Sequence, residues 1–233
     1  MGQNFLFDQN LTDKIVRSAG DLTDKTVIEI GPGPGILTRS LLQSRARNVI
    51  AIEKDLNCYR ALTDYLLPAA GGRLQIINAD ALEVKLAEIC PQKCVIIANL
   101  PYNIGTALLL SWFEQLEHID SFVLMLQKEV VDRLVATPST KAYGRLTIKA
   151  QWLCEADRQF DVPPSAFYPP PKVVSSIIRL LPRKSPYKVD PKALEDVCRQ
   201  VFGQRRKMLQ TSLKPLYGDS VAILKEANIE PTL

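Results

Sequence analysis

Up to Leu126 the apolar residues fall into short β-branched runs separated by stretches of helical period. The runs Thr26–Ile30, Asn48–Ile52, Leu74–Ile77, Cys94–Ala98 and Ser121–Leu126 read as strands. Between them, Ile36–Gln43, Leu56–Leu67, Ala81–Ile89 and Thr106–Gln115 repeat apolar residues every three or four positions, as helices do. An opening helix is expected over Leu11–Ala19, with Ile15, Val16 and Ala19 on one face and Asp8 or Asn10 near its start. Short apolar strands alternating with amphipathic helices predict an α/β fold, a mostly parallel sheet covered on both faces. Ligands of such sheets bind beyond the carboxyl ends of the strands, where the strand order reverses.

After Leu126 the pattern changes. Lys128–Leu134 reads as helix, Arg145–Leu153 fits either type, and Gln159–Val162 and Val173–Leu181 read as strands. The proline-rich segment between those two strands, Pro163 to Lys172, cannot donate to a central ladder. It reads as a rigid loop joining an antiparallel pair at one sheet edge. A boundary is expected at Pro182–Pro186, dividing a domain over 1–182 from a small helical one over 183–233. Its helices are expected at Pro191–Phe202, Arg205–Leu213 and Ser220–Ala227.

Charge sharpens that division. The 29 basic and 25 acidic residues give a net charge of +4. Through Pro182 the two signs balance at 19 each, and from Arg183 onward there are 10 basic and 6 acidic residues. The surplus fits a neutral catalytic body with an appendage for a polyanion, or simply a solvated tail. With 46% hydrophobic and 23% charged residues, the 233-residue chain is expected to be soluble and globular. No apolar run reaches membrane-spanning length and no signal peptide is recognisable at Met1, so a cytoplasmic location without membrane contact is expected. The five cysteines, Cys58, Cys90, Cys94, Cys154 and Cys198, are too scattered for a disulfide framework. Cys90 and Cys94 have no second pair and only the distant His118, so no metal site is expected. A single histidine also disfavours Ser-His or Cys-His nucleophilic chemistry.

Candidate chemistry lies just after two of the strands. Glu29-Ile30-Gly31-Pro32-Gly33-Pro34-Gly35 follows the first. Gly31, Gly33 and Gly35 allow a tight turn and close approach of a ligand to the backbone, and Pro32 and Pro34 stiffen it. A dinucleotide fingerprint would carry its last glycine one position later, where this chain has Ile36. A phosphate-free nucleoside suits the departure. Glu53 ends the next strand, where a carboxylate can accept from both ribose hydroxyls and repels a 2′-phosphate. Asp80 ends the third, at a depth that suits an adenine amino group. Either acid alone reads as a strand-end cap; glycines and acids on three successive strand ends read as a nucleoside site.

The second segment is Asn99-Leu100-Pro101-Tyr102. The amino nitrogen of a nucleobase is a poor nucleophile because its lone pair is delocalised into the ring. Acceptors that draw its hydrogens make it more tetrahedral. The side-chain oxygen of Asn99 and the carbonyl of Leu100 can do this, with Pro101 holding the backbone extended before it. Tyr102 offers a stacking face, worth about 1–3 kcal/mol per base. A base in a duplex must be flipped or unpaired to reach such a pocket. Phe167 in the proline-rich loop is a candidate second wall. Together the two segments suggest methyl transfer from S-adenosylmethionine to an exocyclic base nitrogen.

These residues, with Gly2-Gln3-Asn4-Phe5-Leu6, Tyr143-Gly144-Arg145-Leu146, Val162 to Val173 and Phe202-Gly203-Gln204-Arg205-Arg206-Lys207, resemble the small-subunit (16S) ribosomal RNA adenine N6,N6-dimethyltransferases of the KsgA type. The resemblance implies a Rossmann-like class I methyltransferase with a seven-stranded, mostly parallel sheet containing one antiparallel strand, and a small all-helical C-terminal domain. It implies dimethylation of two adjacent adenosines near the 3′ end of small-subunit rRNA, within an immature 30S particle. By the same resemblance Asn4, Leu6, Gly31, Gly33, Gly35, Glu53, Lys54, Asp80, Ala81 and Asn99 would hold S-adenosylmethionine. Asn99, Leu100, Pro101, Tyr102 and Phe167 would hold the target adenine, and Lys172, Arg205, Arg206 and Lys207 would meet rRNA. A monomer is expected. Family members carry a basic lead before Gly2 and continue past Leu233, so a shortened chain with weakened rRNA affinity is also expected.

Three other readings compete. A large-subunit rRNA methylase of the macrolide-resistance type shares the Asn-Leu/Ile-Pro-Tyr region, but the Gly-Gln-Asn-Phe-Leu start and triple proline favour the small subunit. A non-catalytic assembly factor would not need Asn99 and Tyr102. A nicotinamide oxidoreductase would need the missing glycine and a proton-relay histidine.

Overall fold

A computed structural model describes residues 5–184 and 187–231. In chain order its elements are β1 (Phe5–Leu6), α1 (Gln9–Arg17), β2 (Thr26–Ile30), α2 (Ile36–Gln43), β3 (Asn48–Glu53), α3 (Leu56–Ala61), β4 (Leu74–Asn78), α4 (Leu86–Ile89), β5 (Cys94–Asn99), α5 (Gly105–Trp112), β6 (Ile119–Gln127) and α6 (Lys128–Leu134). These are followed by α7 (Arg145–Leu153), β7 (Cys154–Val162), β8 (Phe167–Tyr168), β9 (Ser175–Pro182), α8 (Pro191–Gly203), α9 (Leu209–Tyr217) and α10 (Ser220–Glu226).

Seven strands form one sheet in the order β4-β3-β2-β5-β6-β9-β7. Those from β4 to β6 are parallel, and β9 runs antiparallel to both β6 and β7. The single reversed strand and the late antiparallel pair match expectation. From β2 the chain moves outward through β3 and β4, then crosses back to build β5 and β6 on the other side. The order therefore reverses between β2 and β5, and both chemistry-bearing segments leave the sheet at that point.

Side-chain alternation divides the core into two layers. Ile28, Ile30, Ile96, Ala98, Phe122 and Leu124 pack with Leu108, Leu109 and Trp112 of α5. Val27, Val49, Val95, Ile97 and Val123 pack on the opposite face with Ile15 and Val16 of α1 and Leu37 and Leu41 of α2. Glu29 lies on this second face by strand parity and is buried there. Helix α1 is capped by Asp8, whose carboxylate accepts from the amides of Asn10 and Leu11.

Several elements depart from the sequence pattern. Leu56–Leu67 is not one α-helix: α3 gives way to a π-helical turn over Leu62–Leu66. Of Ala81–Ile89 only α4 is helical; the Asp80 carboxylate accepts from the Leu82 amide and holds a turn there. Strand β7 starts at Cys154, with a register shift between Arg158 and Phe160 that interrupts its alternation. Arg205–Lys207 is not helical: these residues form the turn between α8 and α9, and α9 starts at Leu209 and runs past Pro215. The expected boundary at Pro182–Pro186 includes Ser185 and Pro186, which lie outside the described residues.

Phe122 is fully buried, its ring centroid 6.1 Å from that of Trp112 and 6.5 Å from that of Phe113. Phe122→Ala should cost about 3–5 kcal/mol of stability. Chemical denaturation would check this; an unchanged midpoint would show that the layer under α5 does not hold the sheet.

Candidate active site

The glycine segment forms a turn between β2 and α2. The Gly31 amide donates to the Ile52 carbonyl at 2.9 Å, continuing the β2–β3 ladder, and the Gly35 amide donates to Pro32 at 3.0 Å. All three glycines have left-handed backbone, with φ of 66°, 54° and 85°. Their missing side chains serve different purposes. A Cβ on Gly33 would lie 2.8 Å from the Phe5 ring, and one on Gly35 would lie 2.7 Å from Leu62. A Cβ on Gly31 would meet nothing within 4 Å, so its bare backbone faces open space.

Glu53 fixes this turn to the neighbouring strand. Its side chain accepts from the Gly33 amide at 3.0 Å through Oε2 and from the Asp55 amide at 2.8 Å through Oε1. It is only 3% exposed. Each oxygen keeps lone-pair capacity beyond these bonds. Asp80 lies past the end of β4, where it accepts from Lys54 Nζ at 2.7 Å and from the Leu82 amide at 3.1 Å. The Lys54 ammonium and that amide hold its carboxyl below the usual range. Ala81, beside it, is half-buried against the α5-side core.

Across the switch point, Asn99 ends β5 opposite Met125 of β6. The Leu100 amide extends that ladder to the Met125 carbonyl at 3.2 Å. The Pro101 carbonyl accepts from Ile104 and Gly105 at 3.2 and 2.9 Å, turning the chain into α5. Leu100 is buried, Tyr102 is half-buried and Pro101 is exposed. Asn99 lines one cleft with Phe5, Leu6, Glu29, Gly31, Pro32, Pro34, Ile36 and Leu37.

A two-stranded sheet roofs this cleft. Leu6 of β1 lies opposite Phe167 of β8, and Phe5 opposite Tyr168. Leu6 and Phe167 point into the core on the α1–α2 side. The proline-rich loop thus places Phe167 behind the roof as a buried packing residue, and it does not line the cleft. Asn4 lies outside the described residues.

The basic residues lie elsewhere. Lys172 is exposed between β8 and β9. Arg205 donates to the carbonyls of Lys141 at 3.2 Å and Thr140 at 3.4 Å, and its guanidinium lies 5.7 Å from the Phe202 ring centroid. It thereby ties the α8–α9 turn to the segment before α7. Arg206 and Lys207 are exposed beside it.

Glu29 is the cleft residue that motif reading left out of the site. It is 1% exposed, and its Oε2 has no hydrogen-bond partner among the described residues. Burial pushes its pKa up to about 8; the nearby Thr38 hydroxyl opposes this and the negative charge of Glu53 adds to it. Its position before the glycines, on the strand face covered by α2, was the available signal. A buried carboxyl with an unmet oxygen at the cleft wall fits a cationic ligand group. The open backbone at Gly31 and the spare acceptor capacity of Glu53 fit a nucleoside. The donor set therefore suits a cationic nucleoside such as S-adenosylmethionine.

The fold is that of the class I methyltransferases. The chain belongs to the ribosomal RNA adenine dimethylase family, whose model matches residues 1–231. It is 51% identical over 233 residues to the ribosomal RNA small subunit methyltransferase A of Rhodospirillum rubrum, covering all of this chain and 80% of that one. A solved dimethyladenosine transferase from Plasmodium falciparum superposes with a TM-score of 0.83 at 29% identity, over 97% of this chain and 83% of that one. The solved 23S rRNA methyltransferase ErmE gives 0.76, also at 29% identity, over 99% and 92%. The chain is an enzyme of this S-adenosylmethionine-dependent class.

A raised pKa at Glu29 makes folding pH-dependent. Between its unfolded value of 4.5 and about 8 the unfolded chain releases a proton that the folded chain keeps, so this group's contribution to stability falls as pH rises. Glu29→Gln should remove that slope, raising the ligand-free melting temperature over wild type near pH 8 and converging with it near pH 4. Parallel melting curves across that range would contradict the assignment. Gly31→Ala places a methyl in the cleft at a left-handed position, costing about 1 kcal/mol of fold stability. Calorimetry should show a larger loss of S-adenosylmethionine affinity; unchanged affinity would remove Gly31 from the site.

Proposed function

We propose that this enzyme transfers methyl groups from S-adenosylmethionine to the N6 nitrogens of two adjacent adenosines near the 3′ end of small-subunit rRNA. The observation that carries this reading is the convergence of Glu29, Gly31 and Asn99 on one cleft at the switch point. Half-identity to a small-subunit methyltransferase over the whole chain supports the choice of subunit. The structural likeness to a large-subunit enzyme reflects the shared chemistry.

In this reading Glu53 accepts from the ribose hydroxyls and Asp80, flanked by Lys54 and Ala81, accepts from the adenine amino group of the cofactor. Gly31, Gly33 and Gly35 let backbone approach it, Glu29 neutralises its ammonium, and Leu6 closes over it. When bound, it supplies a methyl carbon made electrophilic by a sulfonium. The remaining work belongs to the chain. Tyr102 stacks on the extruded adenine, with Phe167 backing the opposite wall. Asn99 Oδ1 and the Leu100 carbonyl accept from the N6 hydrogens, and Pro101 fixes that carbonyl's direction. The nitrogen lone pair is thereby directed at the methyl carbon. The N–C bond forms as the C–S bond breaks, and the displaced N6 proton passes to solvent. Alignment supplies the rate, so no strong base is required.

Lys172, Arg206 and Lys207 meet rRNA phosphates, and Arg205 contributes by fixing the turn that carries its neighbours. Residues 1–182 form the catalytic domain and 183–233 a helical RNA-binding domain. The enzyme acts as a monomer on immature 30S particles in the cytoplasm. Among the described residues no helix is long and apolar enough to cross a membrane.

Incubation of unmethylated small and large subunits with labelled cofactor, followed by nucleoside mass spectrometry, tests the reading. N6,N6-dimethyladenosine should appear in 16S rRNA; label confined to 23S rRNA would overturn it. Asn99→Ala should slow transfer by far more than it weakens cofactor affinity, to which Asn99 also contributes from the cleft wall. Undiminished turnover would remove Asn99 from its role.

A further inference from the structure

Tyr102 is anchored by a residue outside the motif that carries it. Its hydroxyl lies 2.8 Å from Ser175 Oγ. Ser175 opens β9 and is fully buried. It pairs with Gln127 of β6 on one side and Val162 of β7 on the other. Its surroundings are pinned: the Lys128 amide donates to the Val174 carbonyl at 2.9 Å, and Ser176 Oγ donates to Asp161 at 2.6 Å. Asp161 in turn accepts from Lys128 Nζ at 2.9 Å. The proline-rich loop that bears Phe167 ends at this joint.

We infer that Ser175 is a positioning residue for methyl transfer, its buried hydroxyl holding the Tyr102 ring at the angle and depth that an extruded adenine requires. The inference rests on the proposed role of Tyr102 as the stacking wall. Tyr102 follows β5 in a turn and, being half-buried, can rotate about its side-chain torsions. A bond to a strand paired on both sides removes that freedom at the far end of the ring. Because β9 also terminates the loop carrying Phe167, the same contact fixes one wall of the slot relative to the other. Loss of the hydroxyl leaves the ring present but free to tilt, which should affect alignment in the transition state more than binding of either substrate.

A double-mutant cycle tests this. Ser175→Ala, Tyr102→Phe and the double variant would be assayed for methylation of unmethylated small subunits, with S-adenosylmethionine affinity and melting temperature measured in parallel. Each single variant should lower kcat about three- to tenfold, the equivalent of one net hydrogen bond, with KM for cofactor unchanged. The double variant should be no slower than either single one, because both remove the same bond. Multiplicative losses, or wild-type kcat in Ser175→Ala, would overturn the inference. Should Ser175→Ala fail to fold, Tyr102→Phe removes the bond from its half-buried end, and wild-type kcat there overturns it equally. Failure of wild-type enzyme to methylate small subunits would instead refute the underlying functional reading.

Discussion

One buried carboxylate holds the site together. Glu53 receives the amide of Gly33 from the preceding turn and that of Asp55 from its own, so a single side chain fixes two loops at the ends of β2 and β3. Hydrogen bonds to an ionised acceptor shielded from water are among the stronger ones available to a protein. The glycine turn needs such an anchor because its backbone is left-handed three times in five residues. Freed from Glu53, its middle would lose its anchor, leaving the bonds made by Gly31 and Gly35 at its two ends. In the proposed reading the same carboxylate presents its remaining lone pairs to the ribose, so the group that shapes the turn also recognises what the turn admits.

Topology then brings the two halves together. The chain crosses from β4 back to β5, leaving a crevice between the ends of β2 and β5 where Glu29 and Asn99 share a wall. The far side is completed by contacts between distant parts of the chain. Strand β7, running with β6, carries the chain to the strand ends, where the short β8 segment of the proline-rich loop pairs with β1 before β9 leads away. Leu6 and Phe167 become cross-strand neighbours, which couples the roof over the proposed cofactor site to the proposed target wall. Buried Glu29 follows from the same geometry: its strand neighbours Ala51 and Ile97 are apolar, which leaves the Thr38 hydroxyl and the cleft as the polar surroundings of its carboxyl.

Much of this was legible in the sequence where the signal is local. The cores of β2 to β6 are β-branched runs that a parallel sheet must bury, and α2 and α6 show clean helical period. What escaped was non-local or locally ambiguous. The pairing of Phe5–Leu6 with Phe167–Tyr168 spans nearly the whole sheet domain, and no pattern around either dipeptide announces it. The irregularity between Arg158 and Phe160 breaks the alternation that would have extended β7. The π turn after α3 follows a helical period in sequence but lets Leu62 and Leu66 close against Gly35. The helix expected over Arg205–Leu213 instead starts at Leu209 and runs through Pro215 to Tyr217. In the site itself, glycine and strand-end acids were readable from type and spacing. The orphaned oxygen of Glu29, the bond from Tyr102 to Ser175 and the docking of Arg205 all depend on three-dimensional neighbours.

The proposed chemistry requires a sulfonium nucleoside to lie between Glu53 and Asn99. A crystal structure with S-adenosylhomocysteine addresses this directly. Ribose hydroxyls within hydrogen-bond distance of Glu53, the amino group at Glu29 and the sulfur facing the Asn99–Tyr102 slot are the expected result. A ligand seated elsewhere, or one bound here with its sulfur turned away from Asn99, would contradict the account.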